Sequence, residues 1–268
     1  MNKKLFAIII VFSSGCSIDP VIQSKDSAPV SVPIDVMAVP NAIPKYEKRT
    51  RAGNPPEYTV LGKQYKILAE SKGYQQKGVA SWYGRKFHGR DTSNGEVYNM
   101  YAMTAAHKTL PIPSYVQVTN LKNQRSVVLR INDRGPFHDN RIIDLSYTAA
   151  VKLGIQQAGT GFVNVVAIDV NEPVKKPQNT RQATPVNHAM RVFLQIGAFA
   201  DLNNANQLQK KLNAGNIKQS RVQIAPNQKN LVYNVQVGPL LSVEQADAES
   251  KKLSQLGYAD TQLIVEKN

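Results

Sequence analysis

The chain has 268 residues, of which 42% are hydrophobic, and a formal net charge of +14. That length holds two modest domains, and the composition is ordinary for globular protein. The 33 lysines and arginines are scattered, with no basic helix and no aromatic–basic RNA-binding motif, so no nucleic-acid partner is indicated, whereas a polyanion or an anionic surface remains compatible with the charge. A single cysteine excludes an intramolecular disulfide, and both cores must stand on packing.

Lys3 and Lys4 precede an apolar run over residues 5–12, followed by Ser13-Ser14-Gly15-Cys16. This pattern is a secretion signal, and its apolar run is too short to span a bilayer as a mature helix. Gly15-Cys16 resembles the lipobox of bacterial lipoproteins, with Ser13 standing where that motif usually has leucine. The resemblance implies that residues 1–15 are removed and that Cys16 is acylated, tying the protein to a lipid membrane. Ser17 rather than aspartate after the cysteine favours, by the same analogy, the outer membrane. Residues 16–57 are rich in Pro, Ser and Ala without a sustained period, and read as an extended tether rather than a packed segment.

Residues 58–68 alternate around Gly62-Lys63, with Tyr58, Val60, Tyr65 and Ile67 as inward or stacking side chains, and predict a hairpin leading into the first domain. Residues 77–168 read as short strands and turns. A strand ends at Gly84, Asn94-Gly95 is a two-residue turn signal, and residues 115–119 and 126–131 are further strands with Gln124 between them. Residues 145–153 predict a short helix with Ser146 as N-cap and Gly154 as its stop, before a last strand over 162–168. Many short strands with one small helix fit a closed barrel that hides its edges.

Chemistry-bearing residues crowd into one span. Thr92-Ser93-Asn94-Gly95-Glu96, His107, Asn132-Asp133-Arg134-Gly135-Pro136 and Asp144-Leu145-Ser146 each sit at or beside a turn signal. They form either a catalytic site or a set of hydrogen-bonded loop supports, since perturbed carboxylates occur in both. Asp133 beside Arg134 is predicted to stay charged and orient a substrate if the side chains meet, whereas Asp144, between Ile143 and Leu145, is the more desolvated and a credible proton donor. His107 either orients a carboxylate or is a satisfied buried histidine. Trp82 and Tyr83 are placed to stack on a sugar ring or to fill the core. No metal or cofactor is implied: His88, His107 and His138 lack ligand spacing.

The motifs Gly78-Val79-Ala80-Ser81-Trp82-Tyr83-Gly84, Thr92 to Glu96, Ala102-Met103-Thr104-Ala105-Ala106-His107 and Asn132-Asp133-Arg134-Gly135-Pro136-Phe137 resemble the rare lipoprotein A family. That resemblance implies a double-psi β-barrel related to expansins and to one class of lytic transglycosylases. It implies cleavage of peptidoglycan glycan strands, with denuded strands preferred. It also points to Glu96, His107 and Asp133 as needed for activity, while the expansin comparison points to Asp144. The acid is thus Asp144 or Asp133 with Glu96 assisting, and Thr92, Asn94, Arg134 and Tyr83 are candidate substrate contacts. Cleavage between MurNAc and GlcNAc with internal attack by the sugar's 6-hydroxyl needs only one carboxyl group, acid first and base second.

Residues 169–188, with three prolines among polar residues, read as a linker. Residues 189–268 contain an internal repeat at an offset of 41, which maps Gln195 to Gln236, Ala205 to Ala246 and Asp201 to Ser242. Each half is strand, helix, strand, and Asp201 and Ser242 are helix N-caps. The pieces around Phe193-Leu194-Gln195-Ile196-Gly197 and Tyr233-Asn234-Val235-Gln236-Val237-Gly238 resemble SPOR domains, which bind denuded glycan at the septum, though Asn234 and Gln236 stand where family strands often carry arginine. Gln195, Phe199, Tyr233 and Gln236 are the candidate glycan contacts. The overall expectation is an α+β multidomain protein: a double-psi β-barrel followed by a ferredoxin-like βαββαβ domain. Its function is lytic cleavage of peptidoglycan at the septum or, alternatively, non-catalytic glycan binding by an expansin-like lipoprotein.

Overall fold

A computed structural model of the chain describes residues 26–138, 140–170, 191–226 and 231–266. The signal segment, Cys16 and nearly all of the 169–188 linker lie outside the described residues.

The predicted hairpin forms from β1 (Glu57–Val60) and β2 (Lys63–Lys66). Leu61 and Gly62 both take left-handed φ values of 51° and 76°, the primed turn that matches the twist of two paired strands. Tyr58 and Tyr65 face each other in register and stack with their ring centroids 5.2 Å apart.

The first domain is built from β3 (Gln75–Tyr83), β4 (Thr104–His107), β5 (Ser114–Asn120), β6 (Ser126–Asp133), β7 (Arg141–Ser146), α1 (Tyr147–Leu153) and β8 (Gly161–Ala167). The six strands close in the order β3-β7-β4-β6-β5-β8. Two pairs, β3 with β7 and β4 with β6, run parallel, and the remaining pairs are antiparallel. Closure leaves no unpaired edge, and the interior is filled by β-branched and leucine side chains: Val116, Val118, Leu129, Ile131, Ile143, Leu145, Val163 and Val165 are all fully buried. The helix starts two residues later than expected, because Leu145 and Ser146 complete β7 opposite Trp82 and Tyr83. Ser146 caps it, its Oγ accepting from the Ala149 amide, and Gly154 ends it at a φ of 72°.

The expectation of an unpacked tether fails for residues 26–56. They form no helix or strand, yet they lie along the barrel. Strand β4 is short and ends at Thr104 opposite Arg130, which leaves Val128 of β6 with backbone groups to satisfy. Ala42 donates to the Val128 carbonyl at 3.1 Å and Asn41 Oδ1 accepts from the Val128 amide at 3.2 Å. Val39 and Ala42 pack against the barrel core. Apart from a turn in which Ala38 donates to the Asp35 carbonyl, extended, proline-punctuated backbone has few partners of its own, and Ala42 and Thr50 donate to the barrel carbonyls of Val128 and Ile112.

The second domain is β9 (Arg191–Phe199), α2 (Leu202–Ala214), β10 (Ser220–Pro226), β11 (Leu231–Leu240), α3 (Val243–Gln255) and β12 (Gln262–Glu266). Its sheet has the order β10-β11-β9-β12, antiparallel throughout, with both helices on one face. Ala205, Leu208 and Leu212 from α2 and Val243, Ala246 and Leu253 from α3 bury against Val192, Leu194, Val235 and Val237. Asp201 and Ser242 cap the helices as the repeat predicts. Gln245 donates its amide to Ser242 Oγ, but its side chain accepts from Leu241 rather than returning to Ser242. Gln195 and Gln236, related by the 41-residue offset, are direct register partners on the two central strands.

Candidate active site

Four residues on adjacent barrel strands fall in one row: Asp133 on β6 pairs with Ala106 on β4, Ala106 with Asp144 on β7, and Asp144 with Ser81 on β3. Residues opposite one another across strands share a face, so the two aspartates flank a single methyl group. Two strand spacings put their Cα atoms about 10 Å apart. Asp144 keeps part of its surface open, yet protein atoms enclose it closely enough that desolvation raises its pKa. Its short hydrogen bond from Ser81 Oγ and the attraction of Arg141, Lys108 and His138 only partly offset that rise. Gly135 lies beside it, and a Cβ there would sit 3.7 Å from Asp144 Oδ2 and 3.8 Å from the Ala106 methyl. A φ of 140° at Gly135 suits glycine alone, and the missing side chain keeps the space in front of Oδ2 clear.

The loop over residues 92–96 is tied to the other aspartate. Ser93 donates through its amide at 2.8 Å and its hydroxyl at 2.5 Å to Asp133 Oδ1, which also accepts from the Arg134 amide at 2.7 Å. Thr92 and Gly95 close the loop on themselves: the Thr92 amide donates to the Glu96 carbonyl and the Gly95 amide to the Thr92 carbonyl. Thr92 is 5% exposed and its hydroxyl lies 2.7 Å from Asn94 Oδ1, while Asn94 Nδ2 donates to Glu96 Oε1 at 2.9 Å. Thr92 and Asn94 therefore build the loop from within, which accounts for them without a substrate contact.

Glu96 receives a bidentate grip from Arg130, at 2.7 and 2.8 Å, and a third bond from Asn132 Nδ2 at 3.0 Å. Partial desolvation pushes its pKa up, but the hydrogen bonds from Arg130, Asn132 and Asn94 outweigh it and hold the carboxyl at about 2. Glu96 is thus a fixed negative charge and not a proton donor.

Arg134 does not meet Asp133 through its side chain. Its guanidinium turns the other way, donating to the carbonyls of Gly53 (2.7 Å), His107 (3.0 Å) and Leu110 (2.6 Å) and to Asn54 Oδ1 (3.0 Å). Four of its five N–H donors are thereby committed to holding loops together. His107 is a satisfied buried histidine, 2% exposed. Its Nδ1 accepts from the amides of Thr109 (3.1 Å) and Leu110 (2.9 Å), which assigns the ring proton to Nε2, where Tyr74 Oη lies at 2.8 Å. Burial, then the nearby charges of Arg134 and Lys108, push its pKa down to about 3. Of the two alternatives for His107, these turn contacts match the satisfied buried histidine rather than a bond to a carboxylate, and its carbonyl helps hold Arg134.

Tyr83 is 7% exposed and stacks on Tyr98 with centroids 4.0 Å apart, so its ring is committed to the protein rather than to a sugar. Burial raises its pKa well above the ordinary value, and Asp133 and Asp144 both lie within electrostatic reach of its hydroxyl. Trp82 likewise spends its indole N–H on the Gln156 carbonyl at 3.2 Å. Among the described residues, no group of three His, Cys, Asp or Glu side chains is arranged to hold a metal ion.

Residue patterns gave no notice of Arg130 or Ser81. The available signal for Arg130 was a lone cation inside an otherwise apolar strand; for Ser81 it was a hydroxyl two residues before Tyr83 on the strand that pairs with Asp144.

On the second domain, Gln195 and Gln236 occupy the sheet face away from the helices, but Gln236 is 2% exposed. Arg221 on β10 covers it, donating to Gln236 Oε1 through Nε (3.0 Å) and Nη2 (2.8 Å), and lies 3.5 Å above the Phe193 ring while pairing with Glu266. A cation from the neighbouring strand therefore lies on this face, bound to Gln236 and Glu266. Phe199 and Tyr233 pair with each other and pack against the helix-side core, because a bulge at Ile196 shifts the register of β9. Neither presents its ring on the open face.

Comparison with known proteins agrees with this geometry. Residues 75–167 match the family model described as lytic transglycolase, and residues 191–264 match the SPOR domain. An endolytic peptidoglycan transglycosylase RlpA of Vibrio cholerae is 41% identical over 261 residues, covering 96% of this chain and 95% of its own. The proteins of that name from Pseudomonas aeruginosa (36% identical; 84% and 80% covered) and Neisseria meningitidis (41%; 79% and 84%) are similar over most of their lengths. The chain belongs to the RlpA family of endolytic peptidoglycan transglycosylases.

Proposed function

We propose that the protein is a lytic transglycosylase that cuts peptidoglycan glycan strands between MurNAc and GlcNAc, with Asp144 as the acid and then the base. The observation that carries this reading is the desolvated Asp144, hydrogen-bonded by Ser81 and facing open space over Gly135 and Ala106. Raised pKa keeps its proton available, and Ser81 fixes the carboxyl group's plane. The protonated carboxyl gives its proton to the leaving glycosidic oxygen as the C1–O bond breaks. The sugar's 6-hydroxyl oxygen then bonds to C1, and its proton passes to the Asp144 carboxylate, restoring the acid and leaving a 1,6-anhydro end. Asp133 and the permanently ionised Glu96 supply negative charge alongside the oxocarbenium-like state.

We assign specificity and placement to the rest of the chain. The SPOR domain holds the enzyme on strands stripped of stem peptides, which concentrates it at the septum, and acylated Cys16 tethers it to the outer membrane. The test is mass spectrometry of denuded glycan after incubation with the chain from residue 17 onward. The reading predicts 1,6-anhydro ends. Reducing ends would make the protein a hydrolase, and tight binding without products would make it a glycan binder.

A further inference from the structure

We infer that residues 47–54, upstream of the barrel, are part of the active site, with Glu47 and Asn54 acting as positioning residues. The inference takes the barrel face of Asp133 and Asp144 as the site, as above. Glu47 grips Arg130 along the edge next to the one that Glu96 holds, with Nη2 shared between them: Arg130 Nε donates to Glu47 Oε1 at 2.8 Å and Nη2 to Oε2 at 2.9 Å. Tyr115 Oη donates to the same carboxylate at 2.6 Å. One guanidinium is therefore held flat between two carboxylates, one from the upstream segment and one from the loop over 92–96. Arg130 and Glu47 are both largely shielded, so solvent does not dissolve the arrangement. Without Glu47, Arg130 keeps only Glu96 and loses its fixed plane, and the carboxylate it orients is freed with it.

Asn54 and Gly53 do the same for the other support. Gly53 O and Asn54 Oδ1 accept two donors of Arg134, whose own backbone amide holds Asp133. Asn54 is locked by the backbone of Ile112, donating to its carbonyl at 2.6 Å and accepting from its amide at 2.9 Å. Gly53 takes a φ of 75°, and a Cβ there would come within 3.0 Å of the Ser93 carbonyl, so the segment lies directly on the residue that binds Asp133. The upstream segment thus touches the supports of both Glu96 and Asp133. A barrel trimmed to its first strand would fold around an incomplete site.

The experiment compares Glu47→Gln, Asn54→Ala and, as a control, Val39→Ala in the chain from residue 17. Val39 packs an earlier stretch of the upstream chain onto the barrel core, and its carbonyl accepts from Lys152 rather than from either arginine. Two readouts are taken: release of glycan products, separated into kcat and KM, and amide hydrogen exchange at Thr92, Ser93 and Gly95. Glu47→Gln and Asn54→Ala should lower kcat by roughly 10–100-fold with KM little changed. They should also speed exchange in the 92–96 loop, whereas Val39→Ala should change melting temperature alone. Loop exchange in Glu47→Gln and Asn54→Ala no faster than in Val39→Ala overturns the inference. That arm decides the matter even if wild type releases nothing, an outcome that would count against the transglycosylase reading and not against the positioning.

Discussion

Replacing His107 by glutamine separates a supporting role from a catalytic one. The folded protein keeps this imidazole neutral down to a pKa of about 3, against 6.5 when unfolded. Its stabilisation is therefore fully present above pH 6.5 and is lost progressively as pH falls toward 3, because the unfolded chain takes up the proton and the folded one does not. At 1.36 kcal/mol per unit, the 1.5 units between 6.5 and pH 5.0 cost the wild type about 2 kcal/mol. Glutamine has no such cost, but it replaces only part of the acceptor for the Thr109 and Leu110 amides, which should destabilise it by about 1–3 kcal/mol at pH 7.5. Urea unfolding at both pH values measures the difference. Trp82 is the only tryptophan and sits on β3, so its fluorescence reports the barrel alone. The gap between wild type and His107→Gln should narrow by about 2 kcal/mol at pH 5.0. A gap that stays constant or widens would refute the buried neutral imidazole. The pH–rate profile of the wild type should likewise show no limb near pH 6–7 from this residue.

Three further outcomes are expected, two from the structure and one from the sequence motif around Cys16. Gly135→Ala places a methyl 3.7 Å from Asp144 Oδ2 at a φ that only glycine tolerates, so it should lower both turnover and melting temperature, by about 1–3 kcal/mol of stability. Arg221→Gln should weaken pull-down on denuded sacculi while the circular dichroism of the domain stays unchanged, and unaltered binding would remove the Arg221 face from the glycan site. Cys16→Ala should leave the protein unacylated and detached from membranes, which fractionation with the outer membrane would contradict.

The regular parts of this fold were legible in local pattern. Local pattern gave four of the six barrel strands, β3, β5, β6 and β8, but not β4 or β7; Ser146 and Gly154 marked the ends of α1, and the 41-residue repeat gave the second domain, with Gln195 and Gln236 matched on its two central strands. Those features depend on neighbours in sequence. What local pattern could not show depends on contacts across the fold. Arg134 follows Asp133 in the chain, yet its side chain leaves for Gly53, His107 and Leu110 and only its backbone amide meets Asp133, which adjacency alone does not decide. Composition marked residues 26–56 as unpacked because it carries no record of the free backbone groups on Val128 and Ile112. Phe199 and Tyr233 were misplaced by one bulge, since a single extra residue reverses which face a strand side chain meets. The desolvation expected at Asp144 was legible because Ile143 and Leu145 on either side of it are themselves core residues.

The central claim is that Asp144 carries the proton, and a comparison of Asp144→Asn with Asp133→Asn on denuded glycan tests it most directly. A positioned acid is worth about 10²–10⁴-fold, roughly 3–5 kcal/mol of barrier. Asp144→Asn should abolish 1,6-anhydro products while glycan affinity is retained. It should also melt higher than wild type at pH 7, an advantage that vanishes as pH falls below the unfolded carboxyl value of about 3.9, because burial makes the ionised form costly. Asp133→Asn, which loosens the bonds from Ser93 and Arg134, should lose turnover and affinity in part. An Asp144→Asn variant that still releases anhydro ends at the wild-type rate would contradict the account.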